Sequence, residues 1–397
     1  MKSLLRISLL LWTVSFLAYA NVSGATAVTE AIGHFIATDE ISGAVTLVAK
    51  DGNIVSLEAA GQADLARRTP MRRDNLFWIA SMTKPITGAA ILLLQDQGKL
   101  STDDLVESHL SEFGNLWLID EQETDKRSFV RPSRKITLKD LLTHTAGIPN
   151  VAIPRPNSTL GEIVALASQQ ALQFEPGSRW SYSNAGIDTL GHIVQVVSGQ
   201  PFDVFLAQNF FKPLGMQHTS FHPNRSQAKR VAKTYRKDTD TGELQEAEIH
   251  ILKAPIWDKT RTIRPAGGLF STAEDLFRFY QMMLNRGVWN GKRILSEHAV
   301  TELTRTQTGD ITTGFTSGMS WGLGFQVVKD PQGVTGMLSP GTFGHGGAYA
   351  TQSWADPKHQ SIYILMIQRR GFPNGDNSPV RKAFQQAAIE LLYPQDR

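Results

Sequence analysis

The sequence predicts a mixed α/β (α+β) protein. One antiparallel sheet, built from both ends of the chain and flanked by helices, would carry an inserted all-helical lobe. Three observations point there. Alternating apolar segments cluster near residues 42–60 and recur after residue 320, where strands are expected. The stretch between them, about Leu100 to Leu303, repeats its apolar residues with a helical period. At 397 residues with 41% hydrophobic and 19% charged content, the chain has enough apolar material for a large core.

Composition narrows the chemistry. The absence of cysteine excludes a disulfide scaffold, a thiolate zinc site and a cysteine nucleophile. Lys and Arg number 40 against 37 acids, a net charge of +3, and Lys2 and Arg6 supply two of those charges. A chain this near neutrality, without a basic block, is not expected to have nucleic acid as its partner. No cofactor is implied, and the scattered histidines form no His-Glu-x-x-His pattern, so no metal is expected.

The elements follow in order. Residues 1–20 read as a signal peptide: Lys2 and Arg6 precede an apolar run from Ile7 to Tyr19, and Ala18-Tyr19-Ala20 matches a small-x-small cleavage site. The run is shorter than the ~20 residues of a membrane span, so a secreted or periplasmic protein without a stable membrane anchor is expected. Residues 21–397 are then one large domain, with a sheet lobe at about 30–80 and 310–397 and a helical lobe at about 100–305. Ser42 to Ala60 reads as a hairpin turning at Asp51-Gly52-Asn53. Phe77 to Gln97 carries Ile86, Ala89, Ala90, Leu93 and Leu94 on a face wide enough for a buried helix.

Further helices are expected at Leu138–Thr143, Leu160–Gln170, Ala185–Ser198 and Ala273–Asn285. The last would have a Ser271–Glu274 capping box and Gly287 as its stop. The charged stretch Lys233 to Glu248 reads as a solvated loop. Trp321–Val328, Gln352–Ala355 and Ser361–Gln368 read as strands, and Pro379–Leu392 as a closing helix.

Three short motifs could carry chemistry. In Ser81-Met82-Thr83-Lys84, at the start of the buried helix, positions i and i+3 share a face and bring Lys84 under the Ser81 hydroxyl. A desolvated, neutral lysine can activate a serine, and a helix N-terminus offers donors to an oxyanion. Tyr182-Ser183-Asn184 lies between a Glu175-Pro176-Gly177 turn and a helix. Its phenol can relay protons, and its amide can hold both a lysine and a substrate. His345-Gly346-Gly347-Ala348 precedes a strand, where glycines allow a substrate backbone to approach closely.

Each motif has a competitor or a duplicate. Ser226-Gln-Ala-Lys229 and Tyr19-Ala-Asn21 repeat the first two spacings in unpromising places. Gly318-Met-Ser320-Trp-Gly322 matches the nucleophile elbow of α/β-hydrolases. That elbow needs a strand before it and a helix after it, the reverse of the pattern here.

In order and spacing, the three motifs resemble the serine β-lactamase-like, penicillin-binding hydrolase family. The branch is that of class C β-lactamases, D-Ala-D-Ala carboxypeptidases and family VIII esterases. Leu141-Leu-Thr-His144-Thr-Ala-Gly147-Ile-Pro149, Glu175-Pro-Gly177 and Gly267-Gly-Leu-Phe-Ser-Thr-Ala273 resemble the family's accessory segments. The resemblance implies a β-lactamase/transpeptidase-like fold. It also implies Ser81 as the acylated nucleophile, Lys84 as its proton acceptor and Tyr182 as a proton shuttle. Asn184 would orient Lys84 and substrate, and the N–H groups of Ser81 and Ala348 would form an oxyanion hole. Whether Lys84 or Tyr182 is the general base stays open. Gly147 and Pro149 are expected to end a helix, and His144 to be a packed polar residue.

One departure bears on substrate. Class C β-lactamases carry Lys-Thr-Gly where this chain has His345, Gly346 and Gly347. A neutral imidazole and a missing hydroxyl weaken the grip on a β-lactam carboxylate. A secreted, esterase-like serine hydrolase is therefore the leading expectation. β-Lactamase or D-Ala-D-Ala carboxypeptidase comes next, and a non-catalytic binder of cell-wall fragments is more remote. The partner would be a small ester, peptide-like or β-lactam molecule. With an imidazole at His345 that titrates near ~6.5, any residual β-lactam activity would be expected to improve in mild acid.

Overall fold

The computed structural model describes residues 26–122, 126–249 and 255–394; the expected signal peptide lies outside them. An eight-stranded sheet forms from both ends of the chain. Its strands are β1 (Gly43–Lys50), β2 (Asn53–Asp64), β3 (Thr69–Pro70), β6 (Met319–Trp321), β7 (Gln326–Val328), β8 (Phe343–Gly346), β9 (Gln352–Asp356) and β10 (Ser361–Met366), in the order β6-β7-β8-β9-β10-β1-β2-β3. The seam between the two halves of the chain is the antiparallel β1–β10 pair, from Val45 opposite Met366 to Lys50 opposite Ser361. The hairpin turn at Asp51-Gly52 has positive φ at both residues, as expected from Asp-Gly.

Both faces of this sheet are covered. Val45, Leu47, Ile362 and Ile364 point into a large core shared with the inserted helices. Ala44, Val48, Tyr363 and Leu365 point the other way, against helices α1 (Ala27–Ala37) and α7 (Pro379–Leu392). Helix α1 was not expected from the sequence, and its packing explains why β1 is buried along almost its whole length.

The insertion holds α2 (Lys84–Asp96), α3 (Leu138–Leu142), α4 (Leu160–Ser168), α5 (Asn184–Ser198) and α6 (Ala273–Leu284). Its buried mass is helical, but it also carries short hairpins. The stretch expected to be a solvated loop is one of them: β4 (Tyr235–Lys237) pairs with β5 (Leu244–Glu246) and, in parallel, with β11 (Arg369–Arg370). Tyr235 anchors it, being buried and accepting the Leu65 N–H with its hydroxyl oxygen at 2.8 Å. Among the described residues, no helix is long and apolar enough to cross a membrane.

Other details differ from the expectations. Trp321–Val328 is not one strand but the β6–β7 hairpin, bent at the Gly322-Leu-Gly324 turn. Helix α6 is capped by Thr272, which accepts from the Asp275 N–H, and not by Ser271, whose hydroxyl bonds Thr219. At its other end Arg286 takes the left-handed turn, and Gly287 donates to the Met282 carbonyl. Helix α3 already ends at Thr143, so Gly147 and Pro149 belong to the loop beyond it.

Candidate active site

Ser81 lies in a 3-10 turn, Ala80–Thr83, that leads directly into α2. Ala80 has φ +46, an uncommon conformation for a residue with a Cβ and one that recurs at functional sites. The turn is fixed from behind by the accessory segment. Phe77 and Trp78 pair with Ser271 and Phe270, the Trp78 Nε1–H donates to the Gly267 carbonyl at 2.7 Å, and the Ile79 N–H donates to Leu269 at 3.0 Å.

Lys84 is fully buried, and its Nζ has three neighbours: Ala266 O at 2.6 Å, Asn184 Oδ1 at 2.8 Å and Ser81 Oγ at 3.2 Å. A neutral amine has two N–H bonds and one lone pair. The two carbonyl oxygens can only accept, so they take both N–H bonds and leave the lone pair for the Ser81 hydroxyl proton. Burial pushes the Lys84 pKa well below its ordinary value; Asp188 opposes that shift and Arg264 adds to it. Asp188 was missed by the sequence reading. It is fully buried on α5, is paired with Arg264 at 2.7 Å, and accepts the Ala266 N–H at 2.9 Å, so it orients the carbonyl that holds Lys84.

Tyr182 sits over this group, with Lys84 Nζ 4.6 Å from its ring centroid. Burial raises its pKa, against the opposing influence of the nearby Ser81 hydroxyl, so the phenol keeps its proton. Two residues beyond the motif hold it. Asn150 accepts the Asn184 N–H at 2.6 Å and donates to the Tyr182 carbonyl at 3.2 Å. The His144 ring lies 4.5 Å from that of Tyr182, and its Nδ1 accepts the Ser183 N–H at 3.2 Å. His144 is thus the packed polar residue expected.

His345 and Gly346 end strand β8, and Gly347 begins the turn to β9. A Cβ on Gly347 would lie 2.7 Å from the Ile79 carbonyl; its absence lets this turn pack against the chain just before Ser81. Ser81 is half-buried and Ala348 exposed, and neither donates its N–H to another group among the described residues. Two uncommitted donors on accessible residues are what an oxyanion hole requires.

The His345 imidazole is buried, and its Nδ1–H donates to the Gly346 carbonyl at 2.6 Å. That bond fixes the tautomer and leaves Nε2 as a lone pair. Burial is the main cause that pushes the His345 pKa down to about 3, and a protonated Lys84 would act in the same direction. This overturns the expected gain of activity in mild acid, because a ring with that pKa stays neutral at pH 5.5. Nor is there room for a threonine next to it. A Cβ on Gly346 would lie 2.2 Å from Asp376 Oδ1 and under 3 Å from both terminal nitrogens of Arg381. Arg381 is fully buried, pairs with Asp376, and donates to the carbonyls of Gly347, Ala350 and Thr351. Its guanidinium is spent on the turn that presents Ala348.

The surroundings are aromatic. Trp180, Phe315, Trp321 and His345 all pack within 6.2 Å, centroid to centroid, of the Tyr182 ring, and Phe315 is 42% exposed. Neither Trp180 nor Phe315 lies in a motif, so no local pattern marks them. The rival motifs stay apart from this group. Ser320 is buried in β6, bonds Thr308 at 3.1 Å, and is followed by a turn and another strand, so it is no nucleophile elbow. Ser226 lies in the short, unburied helix Arg225–Ala228.

Comparison with known proteins bears on the family and the fold. The Beta-lactamase family profile matches residues 28–388. An uncharacterised protein of Mycobacterium tuberculosis is 32% identical over 349 residues, covering 83% of this chain and 86% of the relative. A protein of Escherichia coli O157:H7, named as a candidate D-alanyl-D-alanine carboxypeptidase, is 26% identical over 377 residues, or 87% of this chain and 82% of that one. Among solved structures, the hydrolase EstCE1 superposes with a TM-score of 0.76 at 24% identity, covering 91% of this chain and 97% of that one. A penicillin-binding protein homologue from Pyrococcus abyssi gives 0.72 at 23% identity, covering 93% and 77%. These two likenesses concern the fold.

Proposed function

The chain belongs to the Beta-lactamase family, and from that premise we propose that it is a serine hydrolase that works through an acyl-enzyme on Ser81 and prefers small neutral esters. The observation that carries the chemistry is the Lys84 amine, buried and held by two carbonyl acceptors with its lone pair toward Ser81 Oγ. Lys84 takes the Ser81 proton as Oγ attacks the ester carbonyl carbon. The N–H groups of Ser81 and Ala348 stabilise the resulting oxyanion. The proton then passes from Lys84, through the Tyr182 hydroxyl, to the departing alkoxide, and the ester C–O bond breaks. Water enters, gives up a proton along the same route, and releases the acid. Lys84, with its depressed pKa, is the general base, and protonated Tyr182 is the relay.

The substrate preference rests on the β8 edge. A neutral His345 and an Arg381 already spent on backbone carbonyls offer no free cation to a substrate carboxylate there. Exposed Phe315 beside Tyr182 favours an apolar acyl group. A second reading, D-Ala-D-Ala carboxypeptidase, is favoured by the name of the Escherichia coli relative and uses the same chemistry. The N-terminal 20 residues support export, and the division into a sheet lobe and a helical lobe is part of the same proposal.

The deciding experiment is a hydrolysis panel of p-nitrophenyl butyrate, nitrocefin and a D-Ala-D-Ala peptide, with fluorophosphonate labelling of wild type and Ser81→Ala. The expected result is labelling at Ser81 and the highest kcat/KM on butyrate. Efficient nitrocefin or peptide turnover would replace the esterase reading. Absence of both labelling and turnover would leave a binding protein.

A further inference from the structure

A second feature lies behind the oxyanion turn, on the small sheet formed by β4, β5 and β11. The parallel β11–β4 pairing places Arg370 opposite Arg236 and Arg369 opposite Tyr235. Arg236, Lys237, Arg369 and Arg370 line a cleft of about 500 Å³ in which Glu248 is the one acidic residue among the described residues. Like charges paired across neighbouring strands destabilise a sheet. A folded chain that keeps such a conflict commonly does so where a ligand resolves it.

The four cations are not equivalent. Lys237 is paired with Glu40. Arg369 is buried, stacks 4.8 Å over the Phe372 ring, and donates to the carbonyls of Glu40 and Arg370, so its guanidinium is fixed in place. Arg236 is exposed and reaches Gln245 at 3.3 Å, while the exposed Arg370 side chain has no hydrogen-bond or ion-pair partner among the described residues. One immobilised guanidinium thus stands beside two that are free to close on a ligand. The cleft also touches the catalytic turn. Arg369 donates its N–H to the Tyr349 carbonyl at 3.1 Å, the Tyr349 hydroxyl donates to the Glu248 carbonyl at 3.3 Å, and Tyr349 directly follows Ala348.

We propose that this cleft binds a phosphate group, free or as a phosphate monoester. Guanidinium forks match the oxygens of phosphate in bidentate pairs. A phosphate monoester brings nearly two negative charges and three terminal oxygens, where a carboxylate brings one charge and two. The proposal is independent of which acyl substrate Ser81 takes.

The test is calorimetric titration of the mature protein with inorganic phosphate at constant ionic strength, chloride replacing phosphate in the control. Saturable binding is expected, weakened roughly 10–100-fold in Arg236→Gln/Arg370→Gln, the size expected for lost charge-assisted hydrogen bonds. Hydrolysis of p-nitrophenyl butyrate by that variant should be unchanged. Glu248→Gln, which removes the opposing carboxylate at an exposed position, should tighten binding and gives a reading even if the arginine variant folds poorly. Titration with glycerol 1-phosphate separates the two sources: tighter binding than phosphate points to an ester, weaker binding to the free ion. No saturable phosphate binding above the chloride control, or equal binding by wild type and both variants, would overturn the proposal.

Discussion

The start of α2 and the end of β8 meet at the candidate site, and they hold their polar groups in opposite ways. Around α2, Lys84 has three polar neighbours, Asn184 is fixed through Asn150, and Asp188 aligns the carbonyl that accepts from Lys84. At β8, the Nε2 of His345 and the nearby indole Nε1 of Trp321 have no partner among the described residues, and the space beside Gly346 is filled by an ion pair. On the proposed mechanism the first region moves one proton. The second offers no free cation to an anion and is packed with rings. Reaction and recognition in this fold can therefore change separately, because they are carried by different segments.

The sharpest break in that contrast comes from the nucleophile. Ser81→Ala should reduce turnover by at least about 10⁴-fold, the scale on which acyl-enzyme chemistry depends on its serine, while Ser320→Ala leaves most of it. A dead Ser320→Ala enzyme with an active Ser81→Ala would invert the assignment. Next in size, Lys84→Arg and Tyr182→Phe should each cost on the order of 10²–10⁴-fold in kcat/KM. Arginine stays protonated and cannot accept the serine proton. Because the base works as a neutral amine, kcat/KM should rise with pH through the Lys84 pKa. On this mechanism the depression of that pKa would extend activity toward neutral pH. Near-normal Lys84→Arg kinetics would reduce Lys84 to a structural cation.

At β8 the expected effects are structural before they are catalytic. Gly346→Thr should destabilise the protein by about 1–3 kcal/mol, the usual cost of overpacking, because its Cβ would meet Asp376 and Arg381. The check is the denaturation midpoint. An unshifted midpoint would show that the ion pair moves aside freely.

The smallest effect concerns pH. His144 and His345 are buried and neutral, with pKa values held below that of an unfolded histidine, about 6.5. Above that pH both states are neutral and nothing is lost. As pH falls below it, the unfolded chain binds protons that the folded chain refuses, and each histidine removes up to about 1.4 kcal/mol of stability per pH unit. For His345 the loss levels off near its folded pKa of about 3. Thermal melts between pH 7 and pH 5 should show a decline that His345→Gln makes shallower, while an NMR titration of the His345 ring should show no step near pH 6.5.

Much of this was legible in the sequence, since it depends on neighbours along the chain. The Ser81–Lys84 spacing places both side chains on one helical face, Asp51-Gly52 makes its own turn, and α7 runs over the residues its pattern marks, Pro379–Leu392. The order of three short motifs was enough to suggest the fold. What the sequence left open depends on groups that meet only after folding. Asp188, Asn150, Trp180 and Phe315 belong to no local pattern and reach the site through long-range contacts. The β6–β7 bend and the β4–β5 hairpin were missed because short apolar and charged runs do not reveal where pairing begins. The tautomer and neutrality of His345 were settled by burial and by one carbonyl, that of Gly346. Local periodicity is written in the order of residues, whereas desolvation and the filling of space beside Gly346 depend on which distant segments pack there, and only the tertiary structure decides that.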